Sequence, residues 1–244
     1  IPNPSPPIVT DTSFCLNEKV DSLRISPTIG NKLLWYAQSE IDGIATEASP
    51  KINTGNAGNY FFYVSQMNVS NGCESKRVKI NITVNPIPTL PVVSNLSYCQ
   101  NEKADTIRAT SSSGSTLLWY GTNEFGGIPS AISPVPSINI VGTQYFYVSQ
   151  KNSTTGCESP RAKIAITTKS IPISPVISRD LDNYLVVSTN GVTWFKDGVK
   201  LLDTAQKIKP TSNGYYTATT TLNGCTSSLS TSYYYLTTSI SVLT

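Results

Sequence analysis

Cysteine is the residue type best placed to do chemistry in this chain, and four of its five copies fall into two matched sets. Cys15 and Cys99 are 84 positions apart (99 − 15), and Cys73 and Cys157 repeat the interval. Oxidation to disulfides is the chemistry this spacing suggests, with Cys15 paired to Cys73 and Cys99 to Cys157. Each bond would close a loop of about 58 residues, worth about 4 kcal/mol in the chain-entropy treatment. The alternative is four reduced cysteines buried in cores. Cys225 has no mate in its own segment, which makes it a buried free thiol or a link to another chain.

Other reactive constellations are missing. The chain has no histidine, which removes Ser-His-Asp and Cys-His catalysis and, with no C-x-x-C spacing, makes zinc a poor fit. We therefore expect no catalytic residue, no metal and no cofactor. Glu74 and Glu158 recur once per repeat beside a cysteine and near Arg77 or Arg161, a pattern for a structural hydrogen bond or ion pair. The paired carboxylates of glycoside hydrolysis would face one another across one cleft. Asp42–Gly43 and Asp197–Gly198 are turn signals. Trp35, Trp119 and Trp194 hold the same place in each segment, as core residues do; a sugar-stacking platform is the competing reading. The run Ser232–Leu236, SYYYL, reads as a terminal strand.

The elements that carry these residues are repeated. One ungapped shift aligns residues 15–88 on 99–172 with 34 identities over 74 positions, including LLWY (Leu33–Tyr36, Leu117–Tyr120) and YVSQ (Tyr63–Gln66, Tyr147–Gln150). A shorter third segment keeps the order with VTWFKDG, NGYYTAT and a final NGC ending at Cys225. Proline-rich leads (IPNPSPP, NPIPTLP, SIPISP) separate the segments. Proline resists pairing inside a sheet and stiffens a link. The expected division is 1–86, 87–170 and 171–244.

Within the first segment, strands are expected over 22–26, 32–36, 50–53, 59–66 and 75–84. The last run alternates, with Val78, Ile80, Ile82 and Val84 on one face and Arg77, Lys79 and Asn81 on the other, the pattern of a sheet buried on one side. Short strand, Trp strand, loop, Tyr strand, tight turn and long final strand together resemble an immunoglobulin-like sandwich. The fold class is then all-β, a tandem array of three such sandwiches.

A net charge of +3 does not suggest a nucleic-acid partner, and no apolar run reaches membrane-spanning length. The chain opens on a proline-rich stretch with no signal-peptide pattern, as expected of a fragment or processed product. Cysteine usage points to an exported, extracellular or cell-surface location.

The strings YCQNEKA, LLWY, YFYVSQ and GCESPRAKI, in that order, resemble the Ig-like repeats of large secreted Bacteroidota proteins. The third segment resembles the Ig-like module that precedes a type IX secretion signal. Such repeats occur in surface adhesins, gliding-motility proteins and the stalks of secreted enzymes. The resemblance implies a non-enzymatic stalk or adhesin segment, with neighbouring domains of a longer chain as partners. Surface polysaccharide or the secretion machinery are further partners it suggests. A carbohydrate- or surface-binding module, or an accessory to a catalytic or secretion domain, is the alternative. The tripeptides DSL, DTI and DTA resemble the O-glycosylation sequon of that group, with Ser22, Thr106 and Thr204 as acceptors. N-x-S/T also occurs at Asn68, Asn81, Asn95 and Asn152, where a bacterial source leaves it idle.

Overall fold

The computed structural model describes residues 2–237, and among them every regular element is a strand. The first repeat contains β1 (Thr12–Cys15), β2 (Asn31–Tyr36), β3 (Gly58–Asn68) and β4 (Val78–Asn85). The second contains β5 (Val92–Val93), β6 (Leu96–Cys99), β7 (Ala109–Thr110), β8 (Ser115–Trp119), β9 (Gly142–Asn152) and β10 (Ala162–Lys169). The C-terminal segment begins with β11 (Ser178–Arg179), β12 (Leu185–Val186), β13 (Val192–Lys196) and β14 (Val199–Lys200). It ends with β15 (Lys207–Ile208), β16 (Gly214–Leu222), β17 (Cys225–Thr226) and β18 (Tyr233–Tyr235).

The sheet of the first repeat runs β1-β4-β3-β2, and that of the second β6-β10-β9-β8. Alternation on β4 is realised as expected: Ile80, Ile82 and Val84 are buried while Lys79 and Asn81 are exposed. Trp35, Val64, Ile80, Ile82 and Leu23 form the first core, with Phe14, Ile25 and Ile52 packed against it. The expected strands over 22–26 and 50–53 do not form. These segments cover the apolar face as irregular chain, contributing Leu23, Ile25 and Ile52 without a hydrogen-bonded ladder. Instead the lead strand β1 adds to the edge of the sheet, parallel to β4, with Thr12 opposite Ile82 and Cys15 opposite Asn85. In the second repeat Leu96 lies opposite Ile166 and Cys99 opposite Lys169.

In the C-terminal segment, sheets β11-β12-β15 and β14-β13-β16-β17 enclose a core of Trp194, Leu185, Val192, Tyr216 and Ala218, among others. Asp197 and Gly198 both have positive φ (49° and 81°) in the β13–β14 turn, as a two-residue hairpin requires. The tyrosine run forms β18, antiparallel to β16, with Tyr235 buried and Tyr234 exposed.

By Cα proximity the chain divides into two compact units. One comprises 1–92, 109–118 and 148–162; the other comprises 93–108, 119–147 and 163–244. The division cuts through the second repeat, whose β9–β10 turn goes with the first unit and whose β6 goes with the second.

Candidate functional site

The cysteines occupy two kinds of position. Cys15 and Cys99 end the parallel edge strands β1 and β6, each at the start of a tight turn. A glutamate three residues on closes that turn: Glu18 and Glu102 accept from the backbone N–H of Cys15 and Cys99, both at 2.8 Å. Asn17 and Asn101 supply the left-handed residue at φ 63° and 62°. Cys73 and Cys157 sit beyond the other end of the sheet, in the β3–β4 and β9–β10 turns. There the N–H of Asn68 bonds to the carbonyl of Cys73, and that of Asn152 to the carbonyl of Cys157, both at 2.9 Å. The side-chain oxygens of Asn68 and Asn152 accept two further backbone N–H groups each, from residues 70 and 71 and from 154 and 155.

This geometry overturns the predicted pairing. Cys15 is in register with Asn85, the last residue of β4, whereas Cys73 precedes the first. Eight residues of strand at ~3.3 Å each put roughly 25 Å between them, against the 7 Å or less that a disulfide tolerates between Cα atoms. A bond within the repeat cannot close. The structure pairs Cys15 with Cys157 and Cys99 with Cys225, with Cα separations of 5.5 and 5.6 Å. Cys225 is therefore no free thiol; the free one is Cys73. Each disulfide joins the strand-end cysteine of one segment to the turn cysteine of the next. At the second bond Lys169, opposite Cys99, also donates to the carbonyl of Asn223 at 3.0 Å.

The three tryptophans are core residues, 3%, 4% and 0% exposed, and offer no face to a sugar. Trp194 Nε1 donates to the carbonyl of Ala205 at 2.8 Å, so even its polar edge is engaged. Glu74 accepts from Tyr36 Oη at 2.6 Å and Ser65 Oγ at 2.5 Å, and Glu158 accepts from Ser149 Oγ at 2.5 Å. Both carboxylates thus serve the turn, as their place beside the cysteines suggested. Burial, and then the hydrogen bond to Glu74, push the Tyr36 phenol above its usual range. The Arg77 guanidinium lies 3.2 Å from the Tyr36 ring centre and donates to the carbonyls of Ser39 and Asp42. Among the described residues no group of three or more Cys, Asp or Glu side chains is arranged to hold a metal. Ser22, Thr106 and Thr204 are exposed, outside strands.

One pair of residues escaped the sequence reading: the glutamines of the YVSQ strings. Gln66 and Gln150 are fully buried. The Gln66 carbonyl accepts from the N–H and hydroxyl of Thr28, and its amide donates to Ser5 O. Gln150 does the same with Ser112 and Thr89. Each glutamine fastens its proline-rich lead to the sandwich it precedes, where Pro7 and Pro91 are buried. A long polar side chain at a buried strand position was the available signal.

Sheets of this order, with a core tryptophan beside the Tyr strand, define an all-β, immunoglobulin-like class of domain. The chain belongs to the family described as "Ig-like domain CHU_C associated", which matches residues 4–86 and again 88–169. No curated protein matches it. Similar solved structures include Sidekick-1 immunoglobulin domains 1–4, at 14% identity over 94% of this chain and 74% of that one, TM-score 0.27. Chicken CNTN1 FN1–FN3 shares 11% over 96% and 99%, TM-score 0.31, and titin A168–A170 shares 11% over 87% and 90%, TM-score 0.34. At such scores the family match and the sheets themselves carry the fold assignment. Disulfide-bonded Ig-like repeats fit an extracellular protein. Among the described residues no helix is long and apolar enough to cross a membrane.

Proposed function

We propose that this chain is a non-enzymatic extracellular stalk or adhesin segment. It acts as a semi-rigid spacer of three Ig-like sandwiches within a longer exported protein, with neighbouring domains as its partners. The supporting observation is the pairing pattern: Cys15–Cys157 and Cys99–Cys225 each tie one segment to the next. A bond inside a repeat stabilises that repeat; a bond from one repeat to the next restrains the chain between them, which is what a load-bearing spacer needs. The docking of Ser5 and Thr89 by Gln66 and Gln150 supports the same reading, since it removes slack from the leads. The description of the family as CHU_C associated supports export through type IX secretion as part of this reading. In that setting Ser22, Thr106 and Thr204 are the proposed O-glycan acceptors. Small-angle scattering of the oxidised chain tests the spacer role: an extended profile is expected, and a compact globular one contradicts it.

A further inference from the structure

We infer that Cys73 is one half of a third disulfide of the same kind, whose other half is the strand-end cysteine of a further repeat of this family carried N-terminal to the first. The position that closes the turn after the Tyr strand is occupied three times in the chain, by Cys73, by Cys157 and, as the first residue of β17, by Cys225. In the latter two it is bonded to the strand-end cysteine of the preceding segment. Those bonded cysteines are 0% and 1% exposed, whereas Cys73 is half-buried.

The Cys73 turn is already built like its bonded counterpart. The contact from the Gly72 N–H to Asn68 O, at 2.9 Å, matches that from Gly156 to Asn152 at 2.9 Å, and the two glycines have φ of 71° and 75°. The thiol is thus presented by a formed turn and lacks only the covering partner. No cysteine of this chain can serve: Cys15 lies at the far end of its own sheet, and it and the other three are bonded. The series also has a direction. The C-terminal segment carries a turn cysteine, Cys225, and no strand-end cysteine to pass on.

Bond formation is an oxidation. The Cys73 thiol and the incoming thiol together give up two protons and two electrons to a small-molecule disulfide such as oxidised glutathione, which leaves as two thiols. This bond follows from the pairing pattern alone and needs no spacer role.

The test is a chain with a copy of residues 87–170 fused ahead of Asn3, which keeps the repeat spacing, oxidised in a glutathione buffer and mapped by non-reducing peptide mass spectrometry. The expected result is a cross-linked peptide joining Cys73 to the copy of Cys99, with the copy of Cys157 as the new free thiol. Serine in place of the copied Cys99 should return Cys73 to the alkylatable pool. Cys73 left free beside the unsubstituted copy, or bonded to the copied turn cysteine or to Cys73 of a second molecule, overturns the inference. In the 244-residue chain, native alkylation should label Cys73 alone; an unreactive Cys73, or one bonded to Cys15, overturns it as well.

Discussion

Pulling the chain from its two ends, oxidised and then reduced, converts the disulfide pattern into a length. The two bonded loops overlap, sharing the stretch from Cys99 to Cys157. In the reduced chain Cys15 and Cys225 are separated by about 210 residues of backbone at ~3.3–3.6 Å each. In the oxidised chain the shortest covalent path crosses from Cys15 to Cys157, runs back to Cys99, and crosses to Cys225. Only about 58 residues lie on it, so oxidation hides about 150 residues, or about 500 Å of extension. Bonds inside each repeat would hide two loops of about 58 residues, or about 400 Å. Single-molecule force spectroscopy resolves that difference in final contour length. A gain on reduction near 500 Å is expected, and a gain near 400 Å would refute the repeat-to-repeat reasoning. In the chain-entropy treatment a loop of 142 residues is worth about 5 kcal/mol.

Four further outcomes are expected. Gln150→Ala strands Thr89 and Ser112 without a buried partner, and chemical denaturation should show a loss of about 2–4 kcal/mol, with proteolysis of the lead at Thr89 accelerated. Gly191 has φ +67°, and a Cβ there would lie 2.3 Å from Thr221 O; Gly191→Ala should cost about 2–4 kcal/mol in thermal unfolding, where a neutral result would contradict the close approach. Asp11, Asp180 and Asp197 are all held below the usual carboxylate value of 3.8, by the Asn81 N–H, by Lys207 and by the Tyr215 N–H respectively. Their contribution is complete above that value and lost as pH falls through the lowered ones, so the unfolding midpoint should drop below about pH 4 and hold steady from pH 5 to 8. Intact-mass measurement of native material should exceed the bare chain if Ser22, Thr106 and Thr204 carry glycans, and a mass equal to the bare chain removes that proposal.

Much of the architecture was legible because it is periodic. The alternation on β4, the Trp strand β2 and the Tyr strand β3 follow from local pattern, and the repeat interval doubles every such signal. Strand β1 was not legible: TSFC is four residues long, and its partner β4 lies about 70 residues away in sequence, so only tertiary pairing makes it a strand. The segments 22–26 and 50–53 carry apolar residues at strand-like spacing yet pack as irregular chain, since periodicity reports burial and not hydrogen-bond partners. The same gap misled the cysteines. The residue type was a signal of oxidation, but the matched intervals were not: Cys73, inside the matched sets, is free, Cys225, outside them, is bonded, and the mate predicted within each repeat stands at the opposite end of the sheet. That fact depends on the parallel register of β1 on β4, which no local pattern encodes. The glutamines were visible as residues but not as buried ones, because their partners Ser5 and Thr89 lie in leads that read as linkers.

Non-reducing peptide mapping of the oxidised chain tests the central claim most directly. Peptides joining Cys15 to Cys157 and Cys99 to Cys225, with Cys73 recovered as its alkylated thiol, are the predicted result. Peptides joining Cys15 to Cys73 and Cys99 to Cys157 would contradict it.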